Sequence, residues 1–158
     1  MSGVPDRVLM AFDLLEPFPG HVLDAMHLLD DLSSSAEQVA QAIGRDPVLA
    51  ARVLRLANSA LYMRTRRVAT LREAIVLVGF GAVRSILVTA VAYDAFARGA
   101  PGYGLDRAQM WQHALAVAVV ARHLAQARGL AAEAAFVAGL LHDIGKMALS
   151  HSLQEQYQ

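Results

Sequence analysis

The segment GLLHDIGKMAL, Gly139 to Leu149, sets two potential metal ligands, His142 and Asp143, side by side in apolar surroundings. Imidazole nitrogen and carboxylate oxygen together suit Mn, Fe, Mg or Zn, according to geometry. A metal held this way activates water and stabilises developing charge on a phosphoryl oxygen. Adjacent His-Asp pairs are common by chance, so the pair alone is a weak signal. Lys146 follows Asp143 by three residues, a spacing that predicts a salt bridge along one helix face.

A second group with chemical potential is arginine-rich. Arg64, Arg66, Arg67 and Arg84 carry guanidinium forks, which match phosphate oxygens, so a nucleotide messenger or another phosphate could be held there. The sequence does not choose this over protein docking. Other chemistries drop out. The chain has no cysteine, which excludes disulfides, thiolate metal sites and thiol catalysis. GFGAV, Gly79 to Val83, lacks the glycine spacing of a phosphate loop or a dinucleotide fingerprint. Ser59 and Ser85 lie in helical patterns with no nucleophile elbow around them. His21, His27 and His151 have no partner pattern.

The elements that must position these residues read as helices. HVLDAMHLLDDL repeats Val22, Met26 and Leu29 at three- and four-residue spacing. Ser34 and Glu37 fit a capping box that opens EQVAQAIG, with Val39 and Ile43 inward. Asp46 followed by Pro47 predicts a fresh helix start for PVLAARVLRLANSALY. Thr70 to Glu73 fits another capping box, and the glycines flanking Phe80 predict a tight bend between two helices. AVRSILVTAVAYDAF is read as a buried helix, and ARGAPGYGLD as the clearest loop. Asp106 is expected to cap MWQHALAVAVVARHLAQA, which Arg128-Gly129 ends. The stretch from Glu133 through AAFVAGLLHDIGKMAL is expected to be helical, with Gly139 and Gly145 inside it.

The bulk numbers agree with a helical domain rich in apolar residues. The chain has 158 residues, 56% of them hydrophobic, enough to bury a core in one domain. No apolar run reaches the roughly 18 residues of a membrane span. MSGVPDRVLM lacks the apolar core of a secretory signal, so no membrane is expected and the cytoplasm is the expected compartment. The formal net charge is zero but unevenly laid out. Residues 1–44 carry one arginine against seven acids, and residues 45–84 carry eight arginines against two acids. Such a split suits docking between elements, or to a partner with its own charge pattern.

Four blocks then combine: DPVLAARVLRLANSALY, TLREAIVLVGFGAVRSILV, MWQHALAVAVVARHLA and AAFVAGLLHDIGKMAL. In that order, across most of residues 15–150, they make the chain resemble the HDOD family. This family is related to HD-type metal-dependent phosphohydrolases and is found mainly in bacterial signalling proteins. LANSALY followed by REAIVLVG is the specific part. The resemblance implies an all-α, multi-helix HDOD/HD-like bundle over 15–150, with a possible subdivision into 15–98 and 105–150. Residues 1–14 read as an extension and 151–158 as a polar tail. Asn58, Gly79, Trp111 and Gly145 are expected to be structural, Trp111 as a core or interface anchor.

The resemblance also places the family's first metal histidine on His113 and the pair on His142-Asp143, and gives Lys146 a possible phosphate contact. The fourth ligand would come from a later helix, but no aspartate follows Asp143. Family members continue beyond this point, so the C-terminal part of the domain is expected to be missing. Three arrangements of His113, His142 and Asp143 stay open. They hold a divalent metal with other groups completing the set, they form a buried polar clasp between helices, or they take a solvent-facing or disordered arrangement. The expectation drawn is the clasp, with no cofactor. His123, ten residues after His113, falls off its face and is read as a surface residue.

A rival reading takes EQVAQAIGRDPVLAARVLRLANSALY as a helix-turn-helix with basic residues for phosphate. Leu49, Val53, Leu54 and Leu56 make its second helix too apolar for recognition, so nucleic acid is not the expected partner. The sequence-based expectation is a non-catalytic regulatory and signal-transduction module. It would work through a signalling protein or a fused input or output domain, with a possible homodimer. The alternatives are a metal-dependent HD-type phosphohydrolase or phosphodiesterase, and a nucleic-acid or nucleotide-messenger binder.

Overall fold

The computed structural model describes residues 18–62, 67–96 and 100–152. Among them the chain is all-α, as expected. The helices are α1 (Gly20–Asp30), α2 (Ala36–Gly44), α3 (Pro47–Ala57), α4 (Leu71–Ala95), α5 (Arg107–Ala127), α6 (Ala132–Leu141) and α7 (Ile144–Ser152), with a 3-10 turn at Pro101–Tyr103. The extended pairing among the described residues is a single antiparallel bridge, Ala100 to Leu105. The chain divides into two compact units, one over Phe18–Val91 and one containing the described residues from Ala92 onward.

In the first unit, side chains close the starts of α2, α3 and α4, whereas α1 follows Pro19 with no side-chain cap. Ser35 caps α2, accepting from the Gln38 amide N–H at 3.3 Å while Gln38 Oε1 accepts from Ser35 N–H at 2.8 Å. The expected box at Ser34 and Glu37 is therefore one residue early. A glutamine amide closes the reciprocal pair as well as a carboxylate does. Asp46 caps α3 through the N–H groups of Val48 and Leu49, with Pro47 in the first turn. Thr70 and Glu73 form the expected box at the start of α4.

Gly79 breaks α4, with φ 82° and ψ 162°. That positive φ costs an L side chain but not glycine, so the bend read from the glycines around Phe80 is real. By length and composition alone α4 is apolar enough to cross a membrane. Ala74, Ile75, Ala82, Val83, Ile86 and Leu87 are nevertheless buried inside the protein, the pattern of a core helix. Val22, Val39, Ile43, Leu49 and Val53 pack into the same core.

The charge split along the sequence is largely satisfied inside this unit. Arg45 meets Asp24 at 3.6 Å, Arg72 meets Glu37 at 3.7 Å, and Arg84 pairs with Asp30. Arg52 turns its guanidinium to the Ala90 carbonyl at 3.1 Å. Of the arginines in the helix-turn-helix stretch, Arg45 and Arg52 are thus engaged with the protein's own acid and carbonyl. These are exposed pairs worth a few tenths of a kcal/mol to about 1 kcal/mol each, so they guide docking of the helices more than they stabilise them.

Asn58 does more. Its amide donates to the carbonyls of Leu54 at 2.9 Å and Val68 at 3.0 Å, and its Oδ1 accepts from Val68 N–H at 2.9 Å. One side chain closes the end of α3 and fixes the segment that leads into α4. Asn58→Ala removes all three bonds and leaves Val68 without its side-chain partners. We expect a loss of about 1–3 kcal/mol, read as a lower urea midpoint with an unchanged slope. An unshifted midpoint would show that this bridge is dispensable.

In the second unit α5 packs closely on α6, and the 3-10 turn packs on α7. Asp106 caps α5 with Gln109 completing the box, and Gly129 follows the helix at φ 67°. Trp111 is half-buried and makes edge-to-face contacts with Tyr93 and Phe96, at 5.1 and 5.9 Å between centroids. Ser150 Oγ accepts from Gly102 N–H at 2.7 Å, which ties the turn to α7.

One expectation fails here. The stretch after Glu133 is not one helix, because it breaks at His142-Asp143 into α6 and α7. At Gly145 a Cβ would meet nothing within 4 Å, and its φ is not positive.

Candidate metal centre

The crowded glycine is Gly139. A Cβ on it would lie 2.9 Å from Ala118 Cα and 3.1 Å from Val117 O. Along α5 the buried positions are Met110, Ala114, Ala118, Arg122 and Ala125, spaced by four and three residues. Three of the five are alanines, so this face is shallow. Gly139 on α6 sits against it, and the two backbones approach closely. Arg122 adds a second tie, its Nε 3.1 Å from Glu133 Oε1 with the guanidinium largely buried. The sequence reading did not single out Gly139. Its signal is there in retrospect: a glycine one turn before the His-Asp pair, facing an alanine-rich helix.

This approach brings three ligands together. His113 on α5, His142 at the end of α6 and Asp143 in the break offer ligand atoms that all lie within 4.8 Å of one another. Asp143 Oδ2 is the focus, 3.4 Å from His113 Nε2 and 3.2 Å from His142 Nε2. The two imidazole centroids are 5.2 Å apart. Asp143 is buried, its side chain 11% exposed, whereas the side chains of His113 and His142 are 55% and 33% exposed. The break between α6 and α7 lets adjacent residues aim at one point.

The donor chemistry fits a cation. His142 Nδ1 lies 2.7 Å from the Gly139 carbonyl, which can only accept, so Nδ1 carries the proton. In the neutral ring Nε2 is then a lone pair facing a carboxylate oxygen, a repulsive contact that either a second ring proton or a cation between them relieves. A backbone carbonyl orienting a ligand histidine is also the usual outer-shell arrangement of metal sites. Lys146 supplies one positive charge, its Nζ 2.7 Å from Oδ2 at the i,i+3 spacing.

Two expectations are corrected by this geometry. The trio is not a buried polar clasp, because two of its three members reach solvent. The expectation of no cofactor also falls, since the cluster is positioned to coordinate a divalent metal. With it falls the structural basis for a module that needs no chemistry. His123 is exposed and bonds its own helix through Val119 O at 2.8 Å. Arg64 and Arg66 lie outside the described residues. Arg67 is exposed and belongs to the other unit, as does Arg84, which is paired with Asp30.

The HDOD domain model matches residues 15–158, and the chain belongs to the HDOD family. An HDOD domain protein from Geobacter sulfurreducens is 33% identical, with a TM-score of 0.73 over 93% of this chain and 51% of its own. A candidate phosphohydrolase from Shewanella amazonensis SB2B is 30% identical, with a TM-score of 0.70 over 92% of this chain and 51% of its own. A Treponema pallidum (strain Nichols) protein is 24% identical over 98% of this chain and 29% of its own length. The chain thus spans about half or less of the relatives it matches.

Two predictions follow from the geometry. Gly139→Ala should destabilise the fold by about 1–3 kcal/mol, although alanine is the better helix former. It should also weaken Mn(II) or Zn(II) binding in calorimetry by separating His113 from Asp143. A variant as stable as wild type would mean that the close approach is not tight.

The second concerns acid. Burial alone would raise the Asp143 carboxyl. The Lys146 hydrogen bond and the neighbouring His142, Lys146 and His113 outweigh burial and hold it below its ordinary 3.8. A depressed folded value means stability that is present above about pH 4 and is lost as pH falls through the lower folded value. Asp143→Asn should therefore flatten the acid limb of a Tm-against-pH profile, and an unchanged limb would remove the carboxylate from that role.

Proposed function

We propose that this chain carries the metal centre of a metal-dependent phosphohydrolase acting on phosphate esters. The observation behind this reading is the convergence of His113 Nε2 and His142 Nε2 on Asp143 Oδ2, with His142 oriented by the Gly139 carbonyl. The expectation of a non-catalytic regulatory module is thereby corrected. The cluster, together with similarity to the candidate phosphohydrolase from Shewanella amazonensis, favours catalysis.

His113, His142 and Asp143 would hold the ion. When bound, a divalent cation supplies Lewis acidity toward a phosphoryl oxygen and makes water a better nucleophile near neutral pH. Three protein ligands leave coordination positions open, which a catalytic metal requires and a purely structural one does not. His113 and His142 are exposed and would leave a bound ion accessible to a substrate, while buried Asp143 would help to hold it. The setting we propose is a cytoplasmic signalling protein.

The test is metal analysis of the purified chain, followed by hydrolysis of bis(p-nitrophenyl) phosphate with added Mn(II), Fe(II), Mg(II) or Zn(II). Turnover should need metal and fall at least about a hundredfold in His142→Ala and Asp143→Asn, in line with the loss of a ligand or its support. Metal-independent turnover, or none at saturating metal with the fold intact, would defeat this reading.

A further inference from the structure

Lys146 is the sole lysine of the chain. Its Nζ approaches Asp143 Oδ2 at 2.7 Å, closer than His142 Nε2 at 3.2 Å or His113 Nε2 at 3.4 Å. The ammonium thus sits on the same oxygen that both imidazoles face. The Asp143 side chain is 11% exposed and the Lys146 side chain 41%. The lysine has room to leave, and the carboxylate has not.

We propose that the Lys146 ammonium competes with a divalent ion for Asp143 Oδ2, so that an ion must displace the lysine to bind there. This inference rests on the metal-centre reading above. An ammonium is a compact point charge with three donors on a flexible stem, suited to neutralising a carboxylate without fixing one geometry. A largely buried carboxylate without a counter-charge is costly, and the ammonium at 2.7 Å offsets that cost on the oxygen the imidazoles face. Once a divalent ion occupies the site, ammonium and metal repel at contact distance and compete for one oxygen. Metal affinity is therefore lower than the three ligands alone would give, and the ammonium is released only in the loaded site. Lys146 acts through Asp143, as a positioning residue that sets the metal threshold.

Two readouts on the 158-residue chain test this. The first is calorimetric titration with Mn(II) and Zn(II) of wild type, Lys146→Gln and Lys146→Met, with circular dichroism to verify folding. Both variants should bind metal about tenfold tighter, consistent with removal of one charge-assisted hydrogen bond that the ion otherwise breaks. The second uses reductive methylation read by peptide mass spectrometry, in which Lys146 is the one lysine available to react. Its labelling rate should rise when metal is added to wild type. In Asp143→Asn it should be high from the start and indifferent to metal.

Unchanged or weaker metal binding in both lysine variants, or a wild-type labelling rate that metal does not alter, overturns the inference. The metal centre itself stands if wild type still binds. Failure of wild type and both lysine variants to bind any metal overturns the metal-centre reading and this inference together.

Discussion

The close approach of α5 and α6 at Ala118 and Gly139 is the constraint on which the site depends. A Cβ at Gly139 would fall 2.9 Å from the Ala118 backbone, so the separation exists only because one residue has no side chain and the other almost none. Helix pairs without such small residues pack at about 8–10 Å between axes. That close contact puts His113, on one helix, within reach of Asp143, just beyond the end of the other. The Arg122–Glu133 pair fastens the same two helices elsewhere along the contact.

The site inherits its character from the break between α6 and α7. In a continuous helix, residues 142 and 143 would diverge by about 100° and could not share a target easily. The turn at His142-Asp143 relaxes that rule. It buries the carboxylate, leaves the histidine at the surface, and lets the Gly139 carbonyl set the ring's protonation. Lys146, in the first turn of α7, is delivered onto the same oxygen. Four polar groups, from α5, the α6–α7 break and α7, therefore converge where the surrounding packing is apolar. A site of this composition requires positive charge to be coherent.

The other unit shows a different economy. Its core is mostly aliphatic, three of its four helix starts are closed by short side-chain caps, and part of its charge asymmetry goes into pairs between acidic early residues and Arg45, Arg72 and Arg84. Much of this was legible beforehand because caps are local. Asp46-Pro47, the Thr70–Glu73 box and the bend at Gly79 each depend on a few neighbouring residues and on backbone preference. The Ser34–Glu37 box was misplaced by one residue because Ser34 and Ser35 both offer a hydroxyl, and the partner at 38 is a glutamine rather than an acid. Asn58 was singled out, but its bond to Val68, ten residues on, is a nonlocal contact that no spacing rule specifies.

The sequence by itself determined the all-helical class, most helix boundaries and the three residues worth testing as ligands. It did so because hydrophobic period, capping and the HDOD resemblance all act along the chain. Only the tertiary structure decided what those residues form. The absence of an aspartate after Asp143 pointed to a buried clasp without a cofactor. The fold instead leaves both histidines open to solvent, aims their nitrogens at one carboxylate oxygen, and fixes one ring by a backbone carbonyl. These are properties of helix separation and of a break in helical direction. They follow from Gly139 meeting Ala118 across the contact, which adjacent positions in the sequence do not reveal.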